Sequence, residues 1–201
     1  MENIHPKLYH PDQSLQLTDN IFRTKIPGLL YIRSNKYEDQ RGFFSELFKF
    51  DQLNQVLDQH FEVKQVNFAR SKTNVLRGMH AEGWNKLVTV VSGQAYCALT
   101  DLRPKSPTFK HSEYFQLDYE QASGVGLFIA QGIANSILAV EGPVNYLYLV
   151  DKLYQDRDPK DNLSISPFDP ELNISWPIDR ETMILSQRDL QAISLKELLG
   201  Q

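Results

Sequence analysis

The chain has 201 residues, 41% of them hydrophobic and 23% charged, with a formal net charge of -4. That is the balance of a soluble globular protein with enough chain for a sizeable core; it leaves no basic footprint for nucleic acid. No apolar run approaches the roughly 20 residues that span a bilayer, so no membrane association is expected.

The start, Met-Glu-Asn-Ile-His-Pro, has no signal-peptide pattern, and with Cys97 as the single cysteine no intramolecular disulfide can form. A cytoplasmic protein is expected. There are no repeats and no low-complexity linker, so residues 1–201 read as one domain. Its first segment, residues 1–27, is polar and reads as irregular. Gly28 to Lys36 contains Leu-Leu-Tyr-Ile-Arg, a strand pattern. Asp39-Gln-Arg-Gly-Phe-Phe-Ser-Glu46 carries a turn signal at Arg41-Gly42 followed by a short aromatic strand. Asp51 to His60 predicts a helix, with Leu53, Val56 and Leu57 at 3.6 spacing and Asp51 at the N-cap.

From Val63 the period changes to two. Short strands are predicted at Val63–Ala69, Val75–Met79, Leu87–Val91, Gln94–Asp101, Glu113–Leu117, Gly126–Ile129, Ser136–Val140 and Val144–Val150, separated by turn residues. This argues for an all-β sandwich or barrel of the jelly-roll kind. Residues 179–201 read as a helical tail packed on the outside, with apolar Leu190, Ile193, Leu195, Leu198 and Leu199.

Strand alternation decides which residues share a face. Lys86, Val88 and Val90 point one way and Leu87, Thr89 and Val91 the other. Tyr146, Tyr148 and Val150 share a face, as do Asn135, Ile137 and Ala139. If those faces line a barrel, Lys86, Tyr148 and Asn135 converge in it above an apolar floor.

Of five histidines, His5, His10 and His60 lie in polar or helical stretches and His111 in a turn; only His80 joins two apolar runs. It ends Val75-Leu-Arg-Gly-Met-His80 and is followed, after a tight polar turn, by Lys86. A base beside a cation suits a reaction that forms and stabilises a carbanion. A metal site of the kind found in small cupin barrels needs a His-x-His pair and a later histidine. Here the first segment reads His80-Ala-Glu82 and the second ends in Asn135, a poor ligand for a transition metal, so no metal is expected. No serine-nucleophile elbow or phosphate-binding glycine loop is present. Tyr148 and Tyr154 lie six residues apart, and a tyrosine facing a histidine across a cavity is a ready proton donor. Asp169, between Pro167 and Pro170, is either a turn residue or the orienter of a histidine.

In order and spacing these pieces resemble the dTDP-4-dehydrorhamnose 3,5-epimerase family, cupin-like enzymes acting on nucleotide-linked 4-keto-6-deoxyhexoses. The resemblance runs from about Gly28 to Leu199. It rests on Asp39–Glu46, Gln65-Val-Asn-Phe-Ala-Arg-Ser71, Val75–His80, Lys86-Leu-Val, Asp101–Phe109, Tyr148, Tyr154, Phe168–Pro177 and Met183-Ile-Leu-Ser-Gln-Arg-Asp189. It implies a cupin jelly-roll fold, an epimerase without a cofactor, and a homodimer. It implies His80 as general base with Asp169 as its partner, Tyr148 as the acid and Lys86 as the cation at the keto oxygen. Gln65, Asn67, Arg77 and Tyr154 resemble residues that hold the sugar and diphosphate. Arg41, Phe44 and Glu46 resemble a segment that reaches the nucleotide, from the other subunit of a dimer. Two departures stand out. The turn Ala81-Glu-Gly-Trp-Asn85 is short and adds the carboxylate of Glu82, and Asn135 stands where the family has a second histidine. Both are expected to line an altered sugar pocket. Other readings of the same residues are a non-catalytic nucleotide-sugar-binding cupin and an isomerase that moves the keto group.

Overall fold

The computed structural model describes residues 7–119, 123–156 and 158–200, so Met1–Pro6 with His5 lie outside it. In chain order the strands are β1 (Gln16–Thr18), β2 (Ile21–Arg23), β3 (Leu29–Asp39), β4 (Gly42–Ser45), β5 (Gln65–Ser71), β6 (Leu76–Ala81), β7 (Lys86–Asp101), β8 (Ser112–Asp118), β9 (Ser123–Ile129), β10 (Ile133–Val150) and β11 (Leu163–Ser164). Among the described residues there are three short α-helices, α1 (Phe50–Val56) between β4 and β5, and α2 (Gln187–Leu190) and α3 (Leu195–Leu198) after the last strand. No described helix is long and apolar enough to cross a membrane.

Strands β7 and β10 carry the architecture, because each bends and serves in two layers. The first half of β7 pairs with β9 and with the second half of β10, which also pairs with β5. The second half of β7 pairs with β8 and with the first half of β10, which also pairs with β6. One layer therefore runs β1-β2-β3-β9-β7-β10-β5, and the other β8-β7-β10-β6-β11. This is the jelly roll that the two-residue period predicts.

The sequence pattern predicts each of these long strands as two short ones. Glycine in an alternating pattern suggests a turn, but here it makes a bend that keeps the ladder going. Gly93 has a φ of 77°, and a Cβ there would lie 2.7 Å from the Glu141 carbonyl oxygen and 2.8 Å from that of Pro143. Only a residue without a side chain lets the bends of β7 and β10 lie against each other.

Between the layers lies a core that includes Val88, Val90, Cys97, Leu99, Phe115, Leu127, Ile137 and Ala139. The expected parity holds: Val88, Val90, Ile137 and Ala139 face inward, while Leu87 packs in a separate outer cluster with Leu53 and Phe61. The outer face of the other layer is covered by C-terminal segments, where Leu172 and Leu195 meet Met79 and Ala134.

Several boundaries differ from expectation. Residues 16–23, read as irregular, form the β1–β2 hairpin, and β2 extends the sheet beside β3 with Ile21 opposite Ile32. Ile21 and Phe22 are buried there, but two apolar residues are too few to show a period in the sequence. Helix α1 stops at Val56, short of the predicted His60. Asn54 turns the chain back by accepting from the Phe61 amide at 2.7 Å and donating to the Phe61 carbonyl at 3.3 Å. Its N-cap is Lys49, so Asp51 sits within the first turn. In the tail Leu195 is buried, whereas Leu190 and Ile193 are exposed.

Candidate active site

The site begins where β6 presses against β10. Gly78 has a φ of 126°, and a Cβ on it would meet the Asn135 carbonyl oxygen at 2.7 Å and the Ser136 Cα at 2.8 Å. That contact places His80 directly opposite Asn135 across the ladder. The register is irregular between Asn135 and Ile137. In a regular strand Arg77 and His80, three positions apart, would turn to opposite faces; with the irregularity both line one cavity.

Lys86 and Glu82 enter the same cavity from the start of β7 and the turn before it, Asn135 from β10, and Tyr146 and Tyr148 from the far half of β10. Val88 and Ile137 form its floor. The cavity is open to solvent and encloses about 70 Å³. The convergence of Lys86, Tyr148 and Asn135 expected from parity is thus observed.

Within the cavity His80 and Lys86 each meet a carboxylate. The His80 ring donates from Nε2 to Asp189 Oδ1 at 2.6 Å, which makes Nδ1 the nitrogen with a lone pair. Asp189 sits in the single turn of α2, capped by Ser186, whose hydroxyl donates to Asp189 Oδ2 at 2.8 Å. Burial pushes the Asp189 carboxyl up, but the hydrogen bond and charge of His80 and the Ser186 hydroxyl outweigh it and hold it below the usual value. Lys86, almost fully buried, forms an ion pair with Glu82 and donates to Asn135 Oδ1. Burial raises the Glu82 carboxyl, and the Lys86 ammonium more than offsets this and lowers it. Tyr146 and Tyr148 stack with centroids 5.6 Å apart. Burial, reinforced by the charge of Glu82, pushes the Tyr148 hydroxyl above its ordinary value, so it keeps its proton at neutral pH. Among the described residues no group of three or more His, Cys, Asp or Glu is arranged to hold a metal ion.

Residues 23–197 match the profile of the family described as dTDP-4-dehydrorhamnose 3,5-epimerase. The chain belongs to the dTDP-4-dehydrorhamnose 3,5-epimerase family. It is 31% identical over 176 residues to a dTDP-4-dehydrorhamnose 3-epimerase of Streptomyces niveus, covering 86% of this chain and 82% of that protein. Among solved structures it resembles the dTDP-6-deoxy-D-glucose-3,5-epimerase of Legionella pneumophila in complex with dTDP-4-keto-L-rhamnose. There the TM-score is 0.80 at 32% identity, over 88% of this chain and 93% of that one. It also resembles a 4-keto-6-deoxy sugar epimerase from the novobiocin biosynthetic gene cluster of Streptomyces spheroides, with a TM-score of 0.82 at 28% identity, over 99% and 94%.

In this family member one expected partner is replaced by another. Asp169 does not reach His80. It is buried, with Oδ2 accepting from the Leu195 amide at 2.7 Å and Oδ1 from the Glu171 amide at 2.8 Å, so it ties α3 to the loop below it. Both oxygens are satisfied by backbone, which is the turn-residue role. Asp189 takes the place beside His80. The signal for it was Ser186-Gln-Arg-Asp189, a serine cap three residues before a carboxylate, at the end of a segment that already carried the family resemblance.

The expected binding residues divide into three groups. Arg77, Glu82 and Asn135 line the cavity; Arg77 also donates from Nε to the Ser71 hydroxyl at 2.9 Å. Gln65 and Asn67 lie on β5 opposite Val150 and Tyr148, so they extend the face that carries the tyrosines. Gln65 donates to Asn67 Oδ1 at 2.6 Å and accepts from the Tyr154 amide at 3.1 Å, and the Tyr154 ring lies 6.5 Å from that of Trp84. Arg41, Phe44 and Glu46 are not brought to this cavity. They sit on or just after the β3–β4 hairpin, with Arg41 paired to Asp39 at 2.5 Å, Glu46 paired to Lys49 at 2.9 Å, and Phe44 exposed.

Proposed function

We propose that this protein epimerises carbon 3, carbon 5 or both of a nucleotide-diphospho-4-keto-6-deoxyhexose, with the dTDP-linked sugar as substrate. The observation that carries the reading is one cavity holding an oriented base, a buried cation and a protonated tyrosine. The 4-keto group acidifies the protons on the two carbons beside it. His80, held by Asp189, removes one through Nδ1 and leaves an enolate. The Lys86 ammonium donates to the enolate oxygen, an interaction commonly worth about 3–4 kcal/mol in such sites. Tyr148 returns a proton from the other side and inverts the carbon; proton transfer by a positioned side chain supplies about 10²–10⁴-fold. The substrate's own ketone is the electron sink, so the reaction requires no cofactor.

We also propose a homodimer in which the β3–β4 hairpin, with Arg41, Phe44 and Glu46, reaches the nucleotide of the partner's site. Supporting it, Phe44 is 65% exposed at the hairpin and Phe68 63% exposed on the outer face of edge strand β5. A charged nucleotide-sugar substrate and a lone buried cysteine suit the cytoplasm.

Incubation with dTDP-4-keto-6-deoxyglucose in D₂O, followed by NMR, tests the reaction. Deuterium is expected at carbon 3, carbon 5 or both, with inversion, and His80→Ala should abolish it. No exchange with this sugar or with its UDP, GDP and CDP forms overturns the proposal, and a product with a displaced keto group replaces epimerisation by isomerisation.

A further inference from the structure

The Glu82 carboxylate has a job that the reaction above leaves open. It stands between His80 and Lys86 at the cavity wall, its side chain 16% exposed. One oxygen, Oε2, meets the Lys86 ammonium. The other, Oε1, has no hydrogen-bond partner among the described residues, and it is not among the buried polar atoms sealed off without one. It is therefore an open, solvent-accessible acceptor on a residue that lines the cavity.

We propose that Glu82 is a specificity-determining residue whose free carboxylate oxygen accepts a hydrogen bond from a hydroxyl on the sugar carbon beside the ketone, carbon 3 of a 4-ketohexose. The inference rests on the epimerase reading of the site. Lys86 fixes the geometry. An ammonium has three N–H donors; two are directed at Glu82 and Asn135, and the third is left for the keto oxygen. The carboxylate is then one substituent away from that oxygen. An ionised carboxylate only accepts, so the group placed against it must donate. Of the two carbons flanking the ketone, carbon 5 offers a methyl group and the ring oxygen, neither of which donates. Carbon 3 offers a hydroxyl. A methyl or ring oxygen against Oε1 would strip water from a charged acceptor and return nothing. A neutral amide at this position could turn its NH₂ to an acceptor; a carboxylate cannot. The pocket thus demands a 3-hydroxyl and should reject a 3-deoxy sugar.

The test compares dTDP-4-keto-6-deoxyglucose with its 3-deoxy counterpart, by solvent exchange at the carbons flanking the ketone. In parallel, calorimetry measures binding of dTDP-6-deoxyglucose and its 3-deoxy counterpart, which lack the ketone. The wild type should favour the 3-hydroxy sugar by about 100-fold or more in kcat/KM, as sites built to bind a hydroxyl do, and should favour it in binding too. Glu82→Leu should reduce the preference to below about tenfold. Glu82→Gln, which keeps the volume, should reduce it less, and dTDP alone should bind all three proteins alike. Equal handling of the two sugars by the wild type, or an unchanged preference in both variants, overturns the proposal. A binding preference without any exchange leaves the role of Glu82 standing and removes the epimerase reading. Failure to bind any of the sugars removes both.

Discussion

His80 is oriented by a carboxylate 109 positions further along the chain, and the two buried aspartates of the C-terminal region separate by what they touch. Asp189→Asn replaces an acceptor of the His80 N–H with a group that presents its amide as readily. Solvent exchange should fall by about 10²-fold or more in kcat, since positioned proton transfer supplies at least that. Asp169→Asn removes one of two acceptors for the Leu195 and Glu171 amides. It should lower stability by about 1–3 kcal/mol and leave kcat unchanged below the unfolding transition. Equal kinetic effects of the two substitutions would reverse these roles. The Asp189 carboxyl also sets a pH dependence. Its value in the folded protein lies below that of the unfolded chain. Its stabilising contribution is therefore present above the unfolded value of about 4 and is lost as pH falls through the folded value. Denaturant unfolding of wild type and Asp189→Asn should converge as the pH drops below about 4. The motif Ser186-Gln-Arg-Asp189 marked a capped carboxylate, but which group either aspartate meets was not legible in the sequence. Each aspartate lies in a turn-rich stretch, and sequence distance carries no information about which one a strand residue meets.

At the level of elements, alternation was enough to put Lys86 with Val88 and Asn135 with Ile137 on shared faces and to put Tyr148 with Tyr146, because period two leaves a strand only two ways to point; that these faces turn inward was decided by the packing of the two layers. It was not enough for Arg77 and His80, whose common direction depends on the irregular pairing near Gly78. Nor did it distinguish a bend from a turn at Gly93, since glycine serves both. The short C-terminal helices show a different dependence. A single turn such as α3 has almost no stability of its own. It is held by the Ser194 capping box, by the Asp169 carboxylate and by the fully buried side chain of Leu195. Leu195→Ala should cost about 2–5 kcal/mol, read as a lowered midpoint in thermal or denaturant unfolding. A loss within measurement error would mean that the tail is not part of the cooperative core.

For the whole molecule, the aromatic β3–β4 hairpin and the outward face of β5 lie away from the cavity, which suits a second subunit. Light scattering after chromatography should give twice the chain mass of 23.2 kDa, and Phe68→Asp should shift the population toward the single chain. A monomeric wild type that is fully active would leave Arg41, Phe44 and Glu46 without the role proposed for them. What the sequence determined by itself was the jelly roll and the family, and it singled out His80, Lys86 and Tyr148 as candidates, because strand period and motif order are local or ordered along one dimension. The tertiary structure decided the rest: that Asp189 and not Asp169 holds His80, that Arg77 joins the cavity, and that Glu82 and Asn135 share Lys86. Those pairings arise from side chains brought together by bends and irregular register, which cost or release free energy only once distant segments are in contact.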